Sequence, residues 1–345
     1  KAVTANIGFD GSFLQGKLDI VLDVWQKNTE DLLFEVPITV TNGAYAAAPS
    51  VNIGKMQNRG IDLQIINRGK VRNEVTYELT VNGGFLKNEI VELAPDITYL
   101  SGGNNEPSYR GISPIRNQIG RSISSFFGFK SLGLFKTQAE VDAAPEQAGA
   151  APGRFRFADL NGDNQITPDD RMWLGSPVPK FTGGIKLKLN YKGFEVESYM
   201  FASLGNKIWN QSKWFTDFYP SFAGAAISER VKGSWTSENP NASIPIFENV
   251  SNFSTNTQAN SFYVEDGSYF RMQNITLAYH IPAATLSRLR MEKLRVFAGV
   301  NNVFTISGYE GLDPSVGGDA DTRFGIDVGN YPITRSWTFG INLGF

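Results

Sequence analysis

The stretch Ser336-Trp-Thr-Phe-Gly-Ile-Asn-Leu-Gly-Phe345 alternates strictly between apolar and small or polar side chains and stops on an aromatic ring. As a β-strand it sets Trp337, Phe339, Ile341, Leu343 and Phe345 on one face and Thr338, Gly340, Asn342 and Gly344 on the other. The same period recurs upstream. Leu18, Ile20, Leu22 and Val24 oppose Asp19 and Asp23; Ile61, Leu63 and Ile65 oppose Asp62 and Gln64; Val75, Tyr77, Leu79 and Val81 oppose Thr76, Glu78, Thr80 and Asn82. Ile185, Leu187, Leu189 and Tyr191 oppose Lys186, Lys188 and Asn190, and Leu294, Val296, Ala298 and Val300 oppose Arg295, Gly299 and Asn301. A polar face this rich in charge makes a poor soluble core, because each buried charge needs a partner. A water-filled lumen accepts it, with the apolar face turned to lipid.

Composition narrows the alternatives. Lys and Arg number 32 against 34 Asp and Glu in 345 residues, so no net field argues for nucleic acid. The absence of cysteine excludes a disulfide framework and thiolate chemistry. No run approaches the ~18 apolar residues of a spanning helix, whereas 12% aromatic residues and 35 glycines suit the girdles, turns and smooth walls of a barrel. Residues 1–20 carry neither the charged start and apolar run of a secretory signal nor its cleavage site.

Turn chemistry divides the pattern into nine predicted spanning strands, near 5–14, 18–34, 52–66, 73–91, 181–191, 194–206, 262–280, 293–307 and 334–345. Short connections alternate with the long ones 35–51, 92–180, 207–261 and 308–333, which matches short periplasmic turns and long extracellular loops. The parity holds only if 92–180 is one extracellular excursion with local structure of its own. The last strand then ends in the periplasm. Nine is odd, while single-chain bacterial barrels have even strand numbers. The expected fold is therefore all-β: the C-terminal part of a large antiparallel transmembrane barrel, over 1–345, whose remaining strands and plug lie upstream or on another chain.

One local motif carries chemistry. Within 159–170, oxygen donors recur at Asp159, Asn161 and Asp163, a backbone carbonyl falls at Gln165, and an acid stands twelfth at Asp170. That is the oxygen spacing of a Ca²⁺ loop. Asn164 replaces the usual glycine, and Asp170 the usual, longer Glu. The competing reading is a polar Asx-turn without an ion; three ligands in register plus the acid at position 12 exceed what a turn needs. The ion would stiffen the 92–180 excursion, not catalyse.

The 207–261 connection concentrates aromatic residues, among them Trp209, Trp214, Tyr219 and Trp235. Such rings can stack on substrate or anchor a partner, or they can pack together as a small core. His280 is the only histidine. With no serine or cysteine arrangement around it, no triad or metal site is supported, and no catalytic residue is assigned.

Several ordered motifs together bring out a resemblance. Phe157-Ala-Asp-Leu-Asn-Gly-Asp-Asn-Gln-Ile-Thr-Pro-Asp-Asp-Arg171, Leu174-Gly-Ser-Pro-Val-Pro179, Thr182-Gly-Gly184, Asn52-Ile-Gly-Lys-Met-Gln-Asn-Arg-Gly-Ile61, Tyr269-Phe-Arg-Met-Gln-Asn-Ile-Thr-Leu-Ala-Tyr279, Arg295-Val-Phe-Ala-Gly-Val-Asn-Asn-Val-Phe304 and Tyr309-Glu-Gly-Leu-Asp-Pro314 resemble the C-terminal half of SusC/RagA-type TonB-linked outer-membrane proteins. The resemblance implies a plugged barrel of about 22 strands that imports oligosaccharides or peptides beneath a SusD-like surface lipoprotein. It further implies energising by the TonB complex through an N-terminal plug region with no counterpart in this sequence. No enzyme is implied. The contrasting expectation is a calcium-stiffened outer-membrane binding or adhesion protein without energised transport; an upstream plug and TonB box separate the two.

Overall fold

The computed structural model describes residues 1–35, 50–72, 74–94, 97–102, 107–220, 222–286, 291–318 and 323–345. Residues 36–49, most of the predicted connection 35–51, lie outside this set. Nine long strands form one antiparallel sheet in strict sequence order. They are β1 (Ala2–Phe13), β2 (Leu18–Glu35), β3 (Ser50–Val71), β4 (Val75–Glu92), β5 (Phe181–Tyr191), β6 (Phe194–Leu204), β7 (Tyr269–His280), β8 (Lys293–Ser307) and β9 (Ser336–Gly344).

The nine strands match the nine read from alternation, most with boundaries within three residues and two with larger shifts. β3 runs on to Val71 although its apolar alternation ends at Ile66, because the ladder with β4 continues through Asn67 to Val71. The predicted strand 262–280 starts only at Tyr269. Residues 261–263 instead form a short 3₁₀ turn, and Val264–Asp266 joins another sheet, because fully buried Tyr263 is drawn into an aromatic core.

Register builds the two faces. Ile7, Val24, Ile61, Phe85, Phe181 and Leu204 are successive cross-strand partners, so they form one continuous apolar row over six strands. A second row, Val75, Tyr191, Phe194, Tyr279, Val296 and Ile341, crosses the sheet near the short turns and carries a girdle of rings. Along β5 the rows are separated by the span from Phe181 to Tyr191; ~3.4 Å per residue at a ~45° tilt gives ~24 Å, close to the ~25 Å lipid-facing band of such barrels. Among the described residues none covers this face: Ile7 is 82% exposed and Phe339 75%. A soluble sandwich would bury it.

The opposite face is polar and internally paired. Arg68 bridges Asp19 and Glu78, Lys186 meets Glu197 at 3.1 Å, and Glu195 takes Lys188 at 3.0 Å and Arg295 at 2.8 Å. These pairs cluster toward the end of the sheet with the short turns. β1 pairs only with β2 and β9 only with β8, so the sheet does not close on itself. In lipid both edges need strands from outside this chain.

The two faces make opposite demands on a charge. Leu187→Lys, near the middle of the lipid band, is expected to destabilise the barrel by ~2–4 kcal/mol. Thr80→Glu, one strand away on the polar face and opposite Lys186, should be nearly neutral. Urea unfolding in lipid bilayers checks both.

Candidate functional site

Three connections leave the same end of the sheet, between β4 and β5, β6 and β7, and β8 and β9, and share one hydrophobic core. Phe126, Phe129, Phe155 and Phe157 come from the first, Trp209, Phe218 and Tyr263 from the second, and Ile326 from the third. Trp209 stacks on Tyr263 with ring centroids 5.0 Å apart, and Phe129 stacks on Phe157 at the same distance. Short strands frame this lobe: Lys207–Asn210 lies between Val264–Asp266 and Ile326–Asp327, and Phe126–Phe129 pairs with Arg171–Gly175. Residues 93–180 therefore fold into short strands and turns, with no spanning strand among the described residues.

A charged seam ties the second and third connections. Lys213 Nζ lies 2.9 Å from Glu265 and 3.1 Å from Glu310. Arg230 pairs with Asp217 at 2.9 Å and also with Glu310. The Tyr309 hydroxyl donates to Asp327 at 2.5 Å. Burial raises the Asp217 carboxyl above its ordinary range against the pull of Arg230. Burial and the Asp327 contact together push the Tyr309 phenol up, so it remains a protonated donor.

The aromatic residues singled out from the sequence separate by burial. Trp209 has no exposed surface and packs inside the lobe, so its expected role in contacting substrate or partner is corrected to that of a core residue. Trp214 is half-buried, donates its indole N–H to the Asn256 carbonyl and lies against Arg110. Trp235 packs partly against the same core. Tyr219 is 44% exposed and rests on the Phe247 ring at 5.4 Å.

The 159–170 loop is wrapped by its own hydrogen bonds. Asp159 accepts from the N–H groups of Gly162 and Asn164, Asn161 from Asp163, and Asp163 from Gln165. Gly162 and Asn164 take the left-handed backbone this wrapping requires, with φ of 76° and 64°. Asp170 is fully buried and accepts from Leu160 and Thr167 N–H, closing the loop as a capping box. Burial works against its ionised form, but these backbone donors outweigh it and hold the carboxyl below its ordinary value. Among the described residues no group of three acidic or histidine side chains is gathered around one point.

The polar wall of the sheet carries a groove of about 340 Å³. Asp23, Asp62, Gly84 and Thr182 are successive partners on one side, and Gln64 and Asn82 face them from the next row. A Cβ on Gly84 would run into the Asp62 carboxylate, so glycine keeps the groove open. Trp25 Nε1 donates to Asp62 at 2.7 Å, and Asn6 to Asp23 at 2.9 Å. His280 stands at the other end of this wall, 3.6 Å from Glu195, as an interfacial polar residue.

Comparison with known proteins agrees with this architecture. The family model described as TonB dependent receptor-like, beta-barrel matches residues 1–303. The chain belongs to the TonB-dependent receptor β-barrel family. It is 28% identical to TonB-dependent receptor P3 of Formosa agariphila, over 99% of this chain and 34% of that protein. It is 25% identical to TonB-dependent receptor SusC of Bacteroides thetaiotaomicron, over 100% of this chain and 32% of that one. The chain thus spans about a third of the length of these relatives. A solved structure of the RagAB peptide transporter superposes with a TM-score of 0.80 at 20% identity, covering 100% of this chain and 35% of that chain, and so shares its fold. These relatives are receptors, not enzymes.

Within this receptor barrel the seam residues Lys213, Asp217, Arg230, Glu265 and Glu310 had no signature in the sequence. They are single charges far apart along the chain, and only the shared core brings them together. The division between core and surface rings is open to test. Trp209→Ala should destabilise the lobe by ~3–5 kcal/mol and expose 207–266 to limited proteolysis, whereas Tyr219→Ala should leave the digestion pattern unchanged.

Proposed function

We propose that this chain is the C-terminal barrel portion of a TonB-dependent importer that carries oligosaccharides or peptides across the outer membrane with a SusD-like surface lipoprotein. In this reading the lobe lies outside the cell, the C-terminus lies in the periplasm, and the TonB complex acts through a plug region beyond this chain. One observation carries it: all the long described connections emerge at one end of an open, lipid-faced sheet and fold into one lobe, while the other end has short turns. The wall groove supports the substrate class. Its carboxylate, amide and hydroxyl groups offer acceptors and donors to sugar hydroxyls or peptide amides, and Phe201 beside them offers a ring for stacking.

The lipoprotein would meet the exposed rings of the lobe. Tyr219, Phe222 and Phe247 are accessible on the second connection, and accessible aromatic anchors dominate interface energies. Because this chain has no cysteine, single substitutions can report orientation. In the full-length receptor, Ser237→Cys on the lobe should react with a membrane-impermeant maleimide on intact cells, and Gln15→Cys in a short turn only after permeabilisation. The reverse pattern would end the orientation. Tyr219→Ala with Phe247→Ala should then weaken capture of the lipoprotein by about 2 kcal/mol or more; unchanged capture and uptake would remove these rings from the interface.

For the 159–170 loop the supported role is narrower. We propose that Ca²⁺ adds to a turn already closed by its own hydrogen bonds, through side-chain oxygens of Asp159, Asn161 and Asp163 and the Gln165 carbonyl, with Asp170 completing the set. The left-handed residues at 162 and 164 supply the tight turn on which the loop closes, and the spacing of its oxygen donors along the chain is that of a Ca²⁺ loop. Calorimetry should show weak binding, ~10⁻⁴–10⁻³ M, as in extracellular modules, abolished in Asp159→Ala with Asp163→Ala. No heat at millimolar calcium would reduce the loop to an Asx-turn.

A further inference from the structure

The lipid-facing surface holds a groove of about 860 Å³ that the transport reading does not use. Its lower wall is the apolar row Ile7, Val24, Ile61 and Phe85, and its upper wall the next outward row, Ala5, Gln26, Arg59 and Lys87. Its floor is the backbone of the intervening row, whose side chains point inward; Trp25 shows this through its bond to Asp62. Groove and rim thus lie where the outer surface changes from apolar to polar.

The chemistry changes in layers above this line. Arg59 and Lys87 are direct cross-strand partners. Like charges placed opposite each other are destabilising unless an anion lies between them. Glu89 pairs with Lys87 at 2.7 Å and its charge also reaches Arg59, but Arg59 has no carboxylate within ion-pair distance among the described residues. One row higher, Asn28, Gln57 and Glu89 are partners, and Gln57 donates to Asn28 at 3.1 Å. From the membrane outward the surface therefore presents hydrocarbon, then cations, then amides with a carboxylate. That order complements an acyl chain, a phosphate and a saccharide.

We propose that this groove is a binding site for a phosphorylated glycolipid of the outer leaflet, its acyl chain along Ile61 and Phe85, its phosphate between Arg59 and Lys87, and its sugar hydroxyls on Gln57 and Asn28. Phe85 is 62% exposed, which leaves its ring free to pack on a chain. The site rests on the orientation proposed above, because it faces the outer leaflet only if the lobe is outside. The maleimide labelling decides that separately, so a failed lipid result with the orientation upheld overturns the groove alone.

The test uses the delipidated full-length receptor in nanodiscs doped with diphosphorylated lipid A or with its dephosphorylated form. Retained lipid is read by native mass spectrometry, and folding by heat-modifiable migration on a gel. The wild type should retain the phosphorylated form by about tenfold or more over the other, given two interfacial cations. Arg59→Gln with Lys87→Gln should abolish the preference, Arg59→Lys should keep most of it, and Lys70→Gln at the opposite end of the sheet should leave it unchanged. Equal retention of both lipids by the wild type, an undiminished preference in the double variant, or cross-linking of Phe85→Cys to a second copy of the receptor in place of lipid would each overturn the proposal.

Discussion

In hydrocarbon a backbone N–H or C=O has no water to turn to, and each one left unpaired costs several kcal/mol. The nine-stranded sheet is shaped by that requirement. Every strand pairs with the next strand of the sheet, across short turns or across long connections such as those that separate β4 from β5 and β6 from β7, and only the outer edges of β1 and β9 remain open. Register is held just as firmly. A slip of one residue would turn Arg68 or Lys188 into lipid and bring Leu187 or Tyr77 into water. The ion pairs Arg68 makes with Asp19 and Glu78 span β2, β3 and β4, and lock the register from the wet side. Because these pairs sit in water their individual energies are small; their effect is on which pairing is selected.

The lobe obeys a different rule. Its aromatic core is taken out of water, so it has a hydrophobic driving force that the lipid-facing strands lack. Phe126, Phe129 and Phe155 come from the first connection, Trp209 and Tyr263 from the second and Ile326 from the third, and their mutual burial makes one body of segments that would otherwise be independent loops. The seam of Lys213, Glu265 and Glu310 then restricts how those segments meet. Lys213 and Glu265 are nearly buried while Glu310 stays half exposed; removing either buried partner leaves an uncompensated charge, which is why the seam favours one arrangement over slightly shifted ones.

This contrast explains how much could be read from the sequence. Period-two alternation must persist across the whole bilayer, so it recurs in every strand and was legible at Trp337–Phe345 as well as at Leu18–Val24. It blurred where the membrane stopped constraining it. Beyond Ile66 the β3 ladder continues without apolar alternation, held by its pairing with β4, and before Tyr269 the pattern of Phe262 and Val264 belongs to the lobe. Ring density in 207–261 was legible, but its meaning was not. A tryptophan such as Trp209 reads the same whether it meets a partner or Tyr263, because only the fold decides which surfaces are covered. In 159–170 the oxygen spacing was visible, while the engagement of Asp170 by Leu160 and Thr167 N–H depended on a buried turn that spacing does not encode.

The polar wall is also graded along its height. Near the short turns its charges are matched: Lys186 with Glu197, and Lys188 and Arg295 with Glu195. Higher up, Asp23 and Asp62 face each other across β2 and β3 with no cation within ion-pair distance among the described residues, held only by neutral donors from Asn6 and Trp25. Two opposed carboxylates repel, and in a wet lumen that repulsion is relieved by water or by any solute that donates hydrogen bonds. Under the import proposed for this chain, hydroxyl- or amide-bearing chains descending from the lobe would meet open acceptors first and a self-neutralised belt afterwards. The upper wall can exchange water for solute, while the lower wall has its charges already satisfied and offers little to hold the solute back.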